Sequence, residues 1–170
     1  DSYYPVDPIL KALDYNAVMF VITKYSLENK SGNYYLSKNE LERMAESGRW
    51  KIEAHTREGH NTYKISQDGQ EGHFYSNKLW LDDKNGLETD EEFIDRIDLD
   101  FTIAKSDIEQ GLGVKVISFA FPFGDFGQNT INFPQAEQII LDTAKFSYSL
   151  AFYQVWPGKG YSFNYPAKNS

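Results

Sequence analysis

The chain has 170 residues, is 41% hydrophobic and 16% aromatic, carries a net charge of −8 at pH 7 and contains no cysteine. That length fits one domain, or a large piece of one, spanning residues 1–170, with enough apolar side chains for a real core. The acidic balance and the lack of a basic stripe argue against nucleic acid. The missing cysteines exclude disulfides and thiolate metal sites, and no apolar run approaches a membrane span. No signal peptide is legible, so a secreted form would be one whose leader is removed or left out. Tyr and Phe number 12 each against 3 Trp; such rings fill cores and also grip sugars.

Helix and strand signals alternate along the chain. YPVDPILKALDY places Val6, Ile9, Leu10 and Leu13 at helical spacing, with Pro8 tolerable in the first turn. NAVMFVIT reads as a buried parallel strand. Ser37 with Glu40 forms a capping box that opens a helix, Leu41, Met44 and Ala45 make its apolar stripe, and Gly48 stops it. WKIEAH is then a strand that ends at His55.

From Thr56 to about Glu88 the chain is polar, rich in Gly, Asn and Asp and too long for a plain connection, and its Gly59–Gly86 part is expected to lie over the active face and to be mobile. Thr89 with Glu92 opens a second capped helix, apolar at Phe93, Ile94, Ile97, Phe101, Ala104 and Ile108. VKVISFAFPFG is the third strand, NFPQAEQIILDTAKF the fourth helix, and YSLAFYQ the fourth strand, followed by a Gly/Tyr/Asn/Pro-rich tail. The order α-β-α-β-α-β-α-β predicts an α/β fold with a parallel sheet or barrel. A parallel β/α unit expects one more strand before Asp1, and a full barrel takes about 250 residues. The chain therefore reads as part of such an architecture, incomplete at its N-terminal strand and its C-terminal end.

In parallel β/α proteins the reactive groups gather at the carboxyl ends of strands. His55 closes one strand and His60 follows in the loop, five positions on. On a helix that spacing would turn the rings roughly 140° apart, and on a strand it would put them on opposite faces. They can converge only where a strand gives way to a loop. Neutral imidazole suits zinc, but His-x-x-x-x-His alone does not specify a metal. The third strand ends in Phe121-Pro122-Phe123-Gly124. This is either an ordinary Pro/Gly turn or a turn that frees a backbone N–H to serve as an oxyanion donor.

Taken together, YYLSKNELERMAESGRWKIEAHTREGH and VKVISFAFPFGDFG resemble the polysaccharide deacetylases of carbohydrate esterase family 4, the NodB-homology domain. The likeness runs from about Tyr3 to Tyr153 and is strongest to the branch that deacetylates poly-β-1,6-N-acetylglucosamine in biofilm matrices. The resemblance implies a distorted (β/α)7 barrel that holds Zn²⁺ or another divalent ion through one Asp and two His. It makes His55 and His60 the two histidine ligands, with Thr56 in the Ser/Thr place after the first. Pro122, Phe123 and Gly124 match the substrate-binding Pro-Tyr-Gly segment, in which the backbone N–H of Phe123 would bind the oxyanion. Ala120 stands where many relatives have Arg.

The same resemblance shows what differs. The family's Thr-Phe-Asp-Asp-Gly motif, source of the general base and the third ligand, does not occur here. It is expected a few residues before Asp1, because Pro8-Ile9-Leu10-Lys11 matches the helix that follows it. Asp1 as the second Asp is the other reading, although Pro8 lies close for that. The late Leu-x-His motif is absent, and His73, in the long loop, reads as solvated. The implied function is metal-dependent deacetylation of polysaccharide rich in N-acetylglucosamine, outside the cell or at a bacterial surface. A non-catalytic carbohydrate-binding or scaffold module and another metal-dependent β/α-barrel hydrolase are the alternatives.

Overall fold

Four short, strongly apolar segments line up as the central sheet. The computed structural model describes residues 3–28 and 34–154; Asp1 and the tail beyond Gln154 lie outside the described residues. Strands β1 (Ala17–Ile22), β2 (Trp50–Thr56), β7 (Ser118–Phe121) and β8 (Leu150–Tyr153) pair in the order β1-β2-β7-β8, all parallel. All four residues of β7 are buried, as a strand covered on both faces requires. The β1–β2 register shifts between Val21 and Ile22. Such a bulge bends a strand end, and it lies beside the end of β2 that carries His55.

Helices connect the strands. They are α1 (Tyr3–Leu13), α2 (Thr23–Leu27), α3 (Lys38–Glu46), α4 (Asp90–Leu112) and α5 (Ala136–Ser147). Both capping boxes form: the Glu40 carboxylate accepts the Ser37 N–H at 2.7 Å, and the Glu92 carboxylate accepts the Thr89 N–H at 3.0 Å. Helix α4 is the hub and packs on β2, α2, α3 and α5. Its Phe93, Ile97, Phe101, Ala104 and Ile108 are fully buried against Leu41, Met44, Ala54, Phe119 and Ile140.

Three expectations are corrected. Pro8 lies inside α1, because the helix already runs from Tyr3; the ring costs that turn one hydrogen bond. A five-residue helix, α2, follows β1 directly, with Thr23 held by its hydroxyl donating to Asp107 at 2.7 Å. The polar segment after His55 is built structure and not a plain loop. It folds into two antiparallel hairpins, β3 (Thr62–Lys64) with β4 (Glu71–His73), and β5 (Trp80–Leu81) with β6 (Gly86–Leu87).

Buried polar groups fix those hairpins where apolar anchors are few. Arg96 of α4 donates to the Phe74 carbonyl at 2.7 Å, to the Asn77 carbonyl at 3.0 Å, and to the buried Glu88 carboxylate at 2.7 and 2.9 Å. The Asn132 amide donates to the carbonyls of Ile65 and Lys78, and Asn77 accepts the Ile131 N–H at 2.8 Å. Ile65, Phe74 and Tyr75 are buried beneath them.

Candidate active site

The chain leaves β2 between the two histidines, and a buried carboxylate sets the turn. Asp100 of α4, 5% exposed, accepts the Thr56 hydroxyl at 2.8 Å, the Arg57 N–H and the Glu58 N–H at 3.2 Å each, and the Tyr75 hydroxyl. The Thr56 hydroxyl oxygen in turn accepts the Gly59 N–H at 2.7 Å. Gly59 is required by space: a Cβ there would come within 2.7 Å of the Phe74 ring and 2.8 Å of the Thr56 hydroxyl. The turn brings the rings of His55 and His60 to 5.0 Å between centres.

His55 is mostly buried, and its Nδ1 lies 2.6 Å from the Ala120 carbonyl oxygen on β7. A carbonyl can only accept, so Nδ1 carries the hydrogen and Nε2 presents a lone pair. Burial pushes the His55 pKa down from 6.5 to about 4; the Ala120 contact opposes this and His60 adds to it. At neutral pH the ring is therefore the uncharged form that metals bind.

Two imidazoles sharing a tetrahedral zinc at about 2.0–2.1 Å would have ring centres about 5 Å apart. The His55–His60 pair fits that spacing, and the Ala120 carbonyl is the kind of outer contact that orients a ligating histidine. Among the described residues, no group of three His, Cys, Asp or Glu side chains is arranged to hold a metal ion. The pair fits two of three ligand places.

Phe123 stands against this pair. Pro122–Gly124 form a single 3₁₀ turn after β7, and Phe123 has φ +59°, a conformation uncommon outside glycine. Its ring centre is 4.3 Å from His60. As the second residue of the turn it offers an N–H with no partner inside the turn. Pro122 and Gly124 are buried. Gly124 has φ +65°, and a Cβ there would meet the Gln154 carbonyl at 2.6 Å. His55 also lines a cleft of ≈ 190 Å³ that opens between Met19, Phe20, Tyr34, Tyr35 and Leu36.

His73 is not simply solvated. Strand β4 pairs Thr62 with His73, two positions past His60, and so folds the third histidine back to the site. Its ring stacks on Phe123 at 4.4 Å and 11°, and its Nδ1 lies 2.6 Å from the carboxylate of Asp125, which is 1% exposed. Neither partner was legible as a pair, because 52 residues separate them. Asp100 had a signal: it falls on the apolar stripe of α4, between Ile97 and Phe101, where a carboxylate has to be buried.

The chain belongs to the polysaccharide deacetylase family, whose model matches residues 1–138. Among solved structures it is similar to a de-N-acetylase from Aggregatibacter actinomycetemcomitans, at 21% identity and a TM-score of 0.73, covering 89% of this chain and 58% of that one. The BpsB deacetylase domain from Bordetella bronchiseptica gives 22% identity and a TM-score of 0.73, with 90% and 60% coverage. IcaB from Ammonifex degensii gives 21% and 0.56, with 89% and 54% coverage. The likeness establishes the fold, that of NodB-type deacetylase domains, and the chain spans between about half and three-fifths of these structures' lengths. No curated protein matches the chain. No helix among the described residues is long and apolar enough to cross a membrane.

Proposed function

We propose that the site removes acetyl groups from N-acetylglucosamine units of an extracellular or surface polysaccharide, with His55 and His60 as two ligands of a divalent metal, zinc by preference. The observation that carries this reading is the convergence of two imidazoles, one of them held neutral with its Nε2 lone pair free. A bound divalent ion would polarise the acetamide carbonyl and lower the pKa of a water molecule. The chain's own groups do the rest. The Phe123 N–H donates to the oxygen that gains charge as water adds to the carbonyl carbon. The cleft beside His55, walled by Tyr34, Tyr35 and Leu36, takes an apolar face of the sugar or its acetyl methyl. The resemblance gives the third ligand and the base to the family's Asp pair.

The test is zinc binding and acetate release from N-acetylglucosamine oligomers by the full encoded chain, with His55→Ala and His60→Ala alongside. Both variants should lose zinc and turnover. Glycan binding without acetate release in the unsubstituted protein would favour a non-catalytic carbohydrate module.

A further inference from the structure

We propose that His73, oriented by Asp125, is the proton donor to the departing amine. The assignment rests on the deacetylase reading above. Four rings form a continuous row: His55 to His60 at 5.0 Å, His60 to Phe123 at 4.3 Å, and Phe123 to His73 at 4.4 Å. The row ends at His73, which stacks on Phe123, the residue to which the deacetylase reading gives the oxyanion-binding N–H.

The His73–Asp125 pair is held from both ends. Asp125 is buried at the foot of the Pro122–Gly124 turn; its N–H donates to the Pro122 carbonyl at 3.0 Å and its carboxylate accepts the Gly127 N–H at 3.2 Å. His73 is fixed by the β3–β4 ladder and keeps about a third of its side chain exposed, at 35%. A carboxylate 2.6 Å from Nδ1 keeps the hydrogen on that nitrogen. It leaves Nε2 as the nitrogen that meets substrate. The metal pair is a separate unit, since no three-residue ligand cluster includes His73 among the described residues.

The chemistry needs such a donor. When the tetrahedral adduct collapses, the C–N bond breaks and its electron pair goes to nitrogen, a poor leaving group as an anion. A proton moves from His73 Nε2 to that nitrogen, giving the free amine and acetate. His73 becomes neutral, with its Nδ1 hydrogen still on Asp125, and is recharged by a proton that derives from the attacking water.

The experiment compares two substrates in the full encoded chain supplied with Zn²⁺. N-acetylglucosamine oligomers have an amine that must be protonated to leave; 4-nitrophenyl acetate loses a stable phenolate and needs no proton. His73→Gln is expected to lower oligomer deacetylation about 10²–10⁴-fold while ester hydrolysis stays within about threefold. His55→Ala should lower both. In long-range ¹H–¹⁵N spectra of the same protein, neutral His73 should carry its hydrogen on Nδ1, and Asp125→Ala should release that preference. Equal losses on both substrates in His73→Gln, no loss on the oligomers, or an Nε2–H tautomer in the unsubstituted protein would each overturn the assignment. No acetate release from the unsubstituted protein would instead defeat the deacetylase reading, and the assignment with it.

Discussion

The Nδ1 of His55 lies 2.6 Å from the carbonyl oxygen of Ala120, so the last part of β2 is tied to the end of β7 through a candidate ligand's ring. This one contact fixes the tautomer, aims Nε2, and links the histidine to the turn that presents Phe123. It also explains how a mostly buried imidazole is tolerated: its one buried polar hydrogen has a partner.

Burial of the His55 ring, which the Ala120 contact only partly offsets, makes folding pH-dependent. In the metal-free protein His55 is neutral down to about pH 4, whereas the unfolded chain protonates it near 6.5. Between those values the unfolded state binds more protons. The contribution is therefore whole above about pH 6.5 and is lost as the pH falls towards 4. A shift of this size is worth about 3 kcal/mol at most. Urea unfolding at pH 7 and pH 4.5 should show a larger loss for the unsubstituted protein than for His55→Gln. Parallel losses would show that His55 protonates freely in the fold.

Asp100 sets the His55–His60 turn from a different element. Asp100→Asn replaces one accepting oxygen with a donor that faces either the Arg57 N–H or the Glu58 N–H. It should destabilise the protein by about 1–3 kcal/mol and weaken zinc binding by about 10–100-fold, as loss of an outer contact to a metal site does. Calorimetric zinc titration with parallel thermal unfolding checks both. Unchanged zinc affinity would mean that the histidines keep their spacing without the clamp.

Arg96 should hold the hairpins over the site. Arg96→Met leaves the buried Glu88 carboxylate without its partner and frees the carbonyls of Phe74 and Asn77. A cost of about 3–5 kcal/mol is expected, with faster amide exchange confined first to residues 74–88. Uniform acceleration across α4 and the sheet would place the anchor elsewhere.

The parts of this architecture legible in the sequence are those with local causes. Ser37/Glu40 and Thr89/Glu92 mark helix starts because the cap acts within four residues. The apolar runs at Ala17–Ile22 and Ser118–Phe121 read as buried strands, and five-residue spacing across a strand end brought His55 and His60 together. The missed features have distant causes. The hairpins of the 59–86 segment were not legible because their anchors, Arg96, Asn132 and Ile131, are polar or backbone groups from later in the chain. His73 looked solvated because its partner Asp125 and its stacking surface Phe123 come from beyond α4.

The most direct measurement is acetate released from N-acetylglucosamine oligomers by two zinc-supplemented proteins, the full encoded chain and its His55→Ala variant. The account predicts release from the unsubstituted protein and background from the His55→Ala variant. Undiminished release after His55→Ala would contradict it.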